Sequence, residues 1–135
     1  NITRPARFKI LPDHTFRQND PAVVGVEVLS GTIRKNSNVA LFEGNEPDRV
    51  GQIKGIQEQG EDVDEARRGD RVSVAIDGPT VGRQITEGDE LWTDIPEKHA
   101  KILEQELSED IPVDELETLN AYLDKRRKRD PFWGK

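Results

Sequence analysis

The sequence predicts a mainly β chain with an α-helical appendage: a small antiparallel barrel or sandwich over residues 1–95, then two antiparallel helices over residues 96–135. Three observations predict it. Ten of the eleven glycines lie at or before Gly88, so turn signals crowd the first part and are almost missing from the second. Apolar residues in the first part recur with a period of two, as along half-buried strands. After Ile95 they recur at the spacing of a helix face.

The strand candidates follow in order. ARFKIL opens the series. In VVGVEVL (23–29), Val24, Val26 and Val28 share one face and Glu27 takes the other. VALF (39–42) is a shorter candidate. RVGQIKGIQ (49–57) has its apolar residues at 50, 53 and 56, nearer a helical period. Gly51 and Gly55 disfavour a helix there, so a bent or bulged strand is predicted. RVSVAID (71–77) turns Val72, Val74 and Ile76 inward, and ELWT closes the set. Turns are marked by SG at 30–31, GNEPD at 44–48, DGP at 77–79 and EGD at 87–89. The acidic GEDVDEA (60–66) reads as a solvated turn before the strand at 71–77.

Pro96 suits a first helical turn, with Glu97 near the positive end of the dipole. His99, Ile102, Leu103 and Leu107 form one stripe, with His99 as a packing residue, and Glu97 with Lys101 is an i,i+4 pair. SEDIP interrupts the chain. The second helix has Asp114 and Glu115 in its first turn and an apolar seam of Leu116, Leu119 and Leu123. The five cations Lys125, Arg126, Arg127, Lys128 and Arg129 complement the negative end of this helix, and Pro131 stops it. Phe132 and Trp133 then pack against helix, barrel or partner, since two exposed large aromatics are unfavourable.

Composition removes several functions. The net charge of −7 opposes non-specific nucleic-acid binding, which needs clustered cations, while leaving room for a local basic patch. It suits a soluble protein, even one in a salty cytoplasm. No apolar run approaches a membrane span of about 18 residues. Without cysteine there is no disulfide, thiolate metal site or thiol catalysis, and His14 and His99 lie far apart. Lack of methionine, even at position 1, points to a segment of a longer protein. GPTVGRQ (78–84) has three residues between its glycines and then Arg83 and Gln84, so it is no phosphate loop. In the acidic stretch, the sixth position counted from Asp62 is Arg67 where a calcium loop needs glycine. A hydrolase using Asp62 and Asp64 has no further support, and nothing resembles an enzyme.

Read together, GVEVLSGTIRKNSNVALFEG (25–44) and VGQIKGIQEQGEDVDEARRGDRVSVAIDGP (50–79) resemble the second-domain β-barrel of translational GTPases. A narrower match lies in FRQNDPAVVGVEVLSG, GPTVGRQITEGDELWTDIPEKHAKIL and the ending RKRDPFWGK. These resemble the C-terminal domain of archaeal and eukaryotic translation initiation factor 5B, relatives of bacterial initiation factor two. The resemblance covers nearly the whole chain. It implies a barrel followed by two helices, and no cofactor in this chain, because GTP and magnesium belong to a GTPase domain elsewhere in the factor.

It also implies binding: the family's domain sits at the aminoacyl-acceptor end of initiator methionyl-tRNA on the ribosome and promotes subunit joining. Alignment on the bacterial relative puts Val26, Gln57, Glu58, Gln59, Arg71, Val72 and Ser73 at that end. The bacterial basic-aromatic loop is here Gln57, Glu58 and Gln59, so these positions are candidates by place. A second implied partner is initiation factor 1A, whose acidic-hydrophobic tail docks on the helices in eukaryotes. Lys125 to Arg129 would steer such a tail, and Phe132 and Trp133 anchor it; contact of the same run with ribosomal RNA or protein is the other reading. A cytoplasmic location goes with either role.

Overall fold

The computed structural model describes residues 1–135. Its strands are β1 (Ala6–Arg17), β2 (Ala22–Arg34), β3 (Asn38–Glu43), β4 (Glu46–Glu58), β5 (Glu61–Val63), β6 (Glu65–Arg67), β7 (Arg71–Asp77) and β8 (Glu90–Thr93). Its helices are α1 (Glu97–Gln105) and α2 (Val113–Arg129). Six strands run β1-β8-β3-β4-β7-β2, and β1 pairs with β2 to close the ring, with every pairing antiparallel. The fold is therefore a closed barrel rather than a sandwich. Closure removes long unpaired edges. No helix is long and apolar enough to cross a membrane.

Alternation fills the barrel. Val24 lies opposite Val74, and Val26 opposite Val72, and all four are buried with Phe8, Ile10 and Ile76. Each such side chain contributes roughly 1.5–3 kcal/mol on leaving water. The odd spacing of β4 has a direct cause. Val50 is an extra residue between the pairs Ala40–Arg49 and Val39–Gly51, and Lys54 is another between Ile53–Ile76 and Gly55–Ala75. Each bulge lengthens a spacing of two to three, so Val50, Ile53 and Ile56 all reach the core.

Two stretches differ from the sequence expectation. Ser30–Gly31 is not a turn: β2 continues through it. Gly31, at φ +77°, bends the strand away from β1 and toward β6, and a Cβ there would collide with the Pro5 carbonyl oxygen. The acidic GEDVDEA is not one solvated turn either. Residues Glu61–Val63 pair with β4 and Glu65–Arg67 pair with β2, because reversing the chain leaves backbone groups that the neighbouring strands can satisfy.

A second core joins the barrel to the helices. Along β8, Leu91 enters the barrel while Trp92 faces outward to meet Tyr122 and Phe42. Ile95, Ala100, Leu103, Leu119, Leu123 and Trp133 complete this layer. Tyr122, wholly buried, donates to Asp94 Oδ1 at 2.9 Å and accepts from the Ile95 amide at 3.2 Å. Burial first, then the Asp94 charge, pushes its hydroxyl well above the ordinary tyrosine range.

The carboxylates of the first helical turns also serve tertiary contacts. Asp114 accepts the Gly31 amide at 2.8 Å, and buried Glu115 accepts both Arg4 Nε at 2.6 Å and Arg4 Nη2. Glu97 forms no pair with Lys101; it accepts the Gly134 amide at 2.8 Å. His99 is more than a packing residue. Its Nδ1 accepts the Thr3 amide at 3.1 Å, which puts the ring proton of the neutral form on Nε2. Leu116 packs on the seam while only partly buried, and buried Thr118 donates to Ser30 Oγ at 2.7 Å.

Candidate functional site

Pairing of β2, β7 and β4 brings the residues proposed for the acceptor end together. Val26 faces Val72, Glu27 faces Arg71, and Ser73 lies between Gly25 and Gln57. The chain turns back at Gln59 (φ +51°) and Gly60 (φ +81°), two positive-φ residues that suit a tight hairpin between strands of right-handed twist. A cavity of about 240 Å³ opens here, and all the proposed positions except Glu58 line it.

Two of them contribute differently from the expectation. Val26 and Val72 belong to the barrel core, so they are framework rather than contact side chains. Glu58 lies outside the cavity, one step along a strand whose side chains alternate. The accessible polar groups are Gln57, Gln59, Arg71 and Ser73. Gln57 Nε2 donates to Asp62 at 3.1 Å, and Arg71 pairs with Glu27 at 3.0 Å. Arg71 is 71% exposed, so this pair holds it only weakly.

The other wall was missed in the sequence. It comes from the second half of β1, as Leu11, His14 and Phe16. Register passes from Ile10–Val26 directly to Thr15–Val24, so residues 11–14 bulge out opposite Gly25 alone. His14 Cβ would lie 2.8 Å from a Cβ at position 25, and glycine admits it. Asp13 holds φ +60°, and Glu87 clamps the bulge by accepting the Asp13 amide at 3.0 Å and the Thr15 hydroxyl at 2.8 Å. Those two bonds, the amide's first, hold the Glu87 carboxyl below its usual range. His14 Nδ1 donates to the Pro12 carbonyl at 2.6 Å, leaving Nε2 as the acceptor of the neutral ring. The available signal was Pro12-Asp13, a turn dipeptide breaking the alternation of the first strand.

The C-terminal corner is more self-occupied than the charge run suggests. Lys125 sits 5.2 Å from the Phe42 ring centroid, and Arg126 4.2 Å from that of Trp133. Arg127 makes two bonds to Glu104, at 2.9 and 2.8 Å, and a third to the Trp133 carbonyl at 2.9 Å. Arg129 meets Glu46 at 3.2 Å. Lys128 alone has no such partner. The aromatics divide: Trp133 is buried in the second core, whereas Phe132 belongs to neither core and is 78% exposed. Pro131 leaves these neighbours on opposite sides of a short turn, and only one side faces the protein.

The Glu104–Arg127 pair carries a pH prediction. The Arg127 hydrogen bonds hold the Glu104 carboxyl below its ordinary range. A carboxyl depressed on folding binds its proton more readily when unfolded. The pair therefore stabilises the fold above the usual glutamate value of about 4.3, and the gain fades as pH falls through the lowered one. Glu104→Gln is expected to cost roughly 1 kcal/mol at neutral pH, after solvent screening, and progressively less below about pH 4. Urea midpoints at pH 7 and pH 3 check this; an equal loss at both would refute it.

The fold is that of a barrel domain of the translation-factor class. The sequence model of the family described as "Elongation factor Tu domain 4" matches residues 4–92, and the chain belongs to that family. Relatives over the full chain narrow the kind of factor. The chain is 75% identical over 134 residues to "Probable translation initiation factor IF-2" of Halorubrum lacusprofundi, and 52% identical to the protein so described from Methanosarcina mazei. In both cases 99% of the chain is covered. The crystal structure of GDP-bound aIF5B from Aeropyrum pernix superposes with a TM-score of 0.89 at 36% identity, covering 98% of this chain. The chain spans 22% of the length of each of these three proteins. It is the counterpart of one domain of archaeal initiation factors, as the three narrower motifs indicated.

Proposed function

We propose that this domain binds the aminoacyl-acceptor end of initiator methionyl-tRNA on the ribosome, during the joining of its two subunits. One observation carries the reading: strands far apart in sequence gather the proposed positions, Glu58 excepted, around a single cavity, with an apolar wall of Leu11 and Phe16 facing Gln57, Gln59 and Arg71. At about 240 Å³ it falls below the roughly 300–1,000 Å³ of sites that enclose drug-sized ligands. It suits one unbranched apolar side chain, and a methionyl thioether packs well against aromatic edges. The polar rim offers donors to the ester and ribose without a phosphate-binding cluster, in keeping with a net charge of −7. Nucleotide hydrolysis and its magnesium are assigned to another part of the factor, and the setting is cytoplasmic.

An NMR amide titration tests this. Methionyl acceptor-end mimics are expected to shift residues 57–59 and 71–73, while the same RNA without methionine leaves them still. Equal shifts with both, or shifts elsewhere, would defeat the reading.

A second reading, docking of the tail of initiation factor 1A on the helices, draws on exposed Phe132 and unpaired Lys128, and on a groove of about 410 Å³ lined by Arg126, Arg129 and Trp133. Phe132→Ala should then abolish tail binding without affecting the acceptor end. Unchanged tail affinity would end it.

A further inference from the structure

We infer that Phe16 is the stacking platform for the terminal nucleobase of the acceptor end, and that Glu87 is the residue positioning it. The inference rests on the acceptor-end reading and adds to it the class of ligand that lies outside the cavity.

With the methionyl side chain in the cavity, the ribose esterified to the methionyl carboxyl carries its base toward the rim. Phe16 stands at that rim with 65% of its surface exposed, and its one ring neighbour is His14, edge-on at 6.3 Å. A face is therefore open. Base–aromatic stacking is how single-stranded nucleic acid is held where phosphate contacts are few.

The placement is built rather than incidental. The excursion at 11–14 shifts the register of β1 before Phe16, Asp13 accepts a backbone conformation uncommon for a side-chain-bearing residue, and Gly25 leaves the gap that His14 fills. Glu87 reaches across from the loop before β8 and fixes the excursion at two points. An isolated exposed phenylalanine needs no explanation. One presented by a clamped bulge beside a cavity does.

The test uses two probes on the 135-residue chain: a hydrolysis-resistant methionyl-amide of adenosine, and the same methionyl-amide on a ribose lacking the base. The wild type is expected to bind the adenosine compound about ten-fold more tightly. Phe16→Ala should weaken the adenosine compound about ten-fold more than the abasic one, erasing the difference between the two probes, and Phe16→Trp should restore it. Glu87→Ala should remove the same base-dependent increment, which a merely structural change would not single out. If the wild type binds both probes equally, with shifts at 57–59 and 71–73, stacking is overturned and the cavity reading stands. Equal weakening of both probes by Phe16→Ala would leave the ring as cavity wall alone and also overturn stacking. Failure of both probes to bind defeats this inference together with the reading beneath it.

Discussion

Arg4→Ala is expected to destabilise the protein by about 3 kcal/mol, read as a fall in the urea midpoint. The reason is what it leaves behind. The Glu115 side chain is 2% exposed, and its carboxylate oxygens accept Arg4 Nε and Nη2, with only the Thr32 hydroxyl at 3.3 Å besides. Removing the guanidinium strands a carboxylate that water cannot reach adequately. The lower end of the usual range of about 3–5 kcal/mol applies, because the Arg4 side chain is itself 27% exposed and some solvent can enter. Against a total stability of roughly 5–15 kcal/mol this is a large fraction. Arg4→Met combined with Glu115→Leu should recover most of the loss, since replacing a buried pair by apolar groups of similar volume is often neutral or better. If Arg4→Ala alone cost under 1 kcal/mol, the pair would not be holding α2 to the barrel.

Trp133→Ala is expected to cost about 3–4 kcal/mol, and Phe132→Ala no more than about 0.5 kcal/mol. Adjacent residues of similar chemistry separate because burial separates them. Trp133 is 8% exposed, 5.8 Å from the Tyr122 ring and beneath the Arg126 guanidinium, and its carbonyl accepts from Arg127. Its truncation opens a hole where α1, α2 and the tail meet. Phe132 leaves no hole. Equal costs for the two would contradict the packing described. The contrast also decides how the corner can be probed for partners: Phe132 and Lys128 can be changed without disturbing the fold, whereas a double replacement of Phe132 and Trp133 would confuse lost docking with lost packing.

The candidate site was legible unevenly. Gln57, Arg71 and Ser73 were named by alignment, and the pairing of β2, β7 and β4 brings them to one cavity. Val26 and Val72 were named by alignment, yet the same alternation that identified them as inward-facing puts their side chains in the core. Leu11, His14 and Phe16 escaped because the excursion of β1 is defined by what it pairs with, and its clamp comes from Glu87, 72 residues from Thr15. The basic run misled for a related reason. Five adjacent cations look like one patch along the chain, but a helix sends them around its circumference, where Phe42, Trp133, Glu104 and Glu46 each meet a different one.

By itself the sequence determined the class of fold, most of the strands, the change to helix after Ile95 and the family. These are properties of local periodicity and turn chemistry, carried by residues close along the chain. Tertiary structure alone decided that the barrel closes through β1 and β2. It alone turned Glu115 into a buried anchor for Arg4, 111 residues away, and His99 into the acceptor of the Thr3 amide, 96 residues away. It also sent Trp133 into a core and Phe132 into solvent. The physical reason is common to all of these: a charge or a ring has its energy set by the dielectric and the partners around it, and for this chain those partners arrive from distant strands and helices only once the barrel has closed.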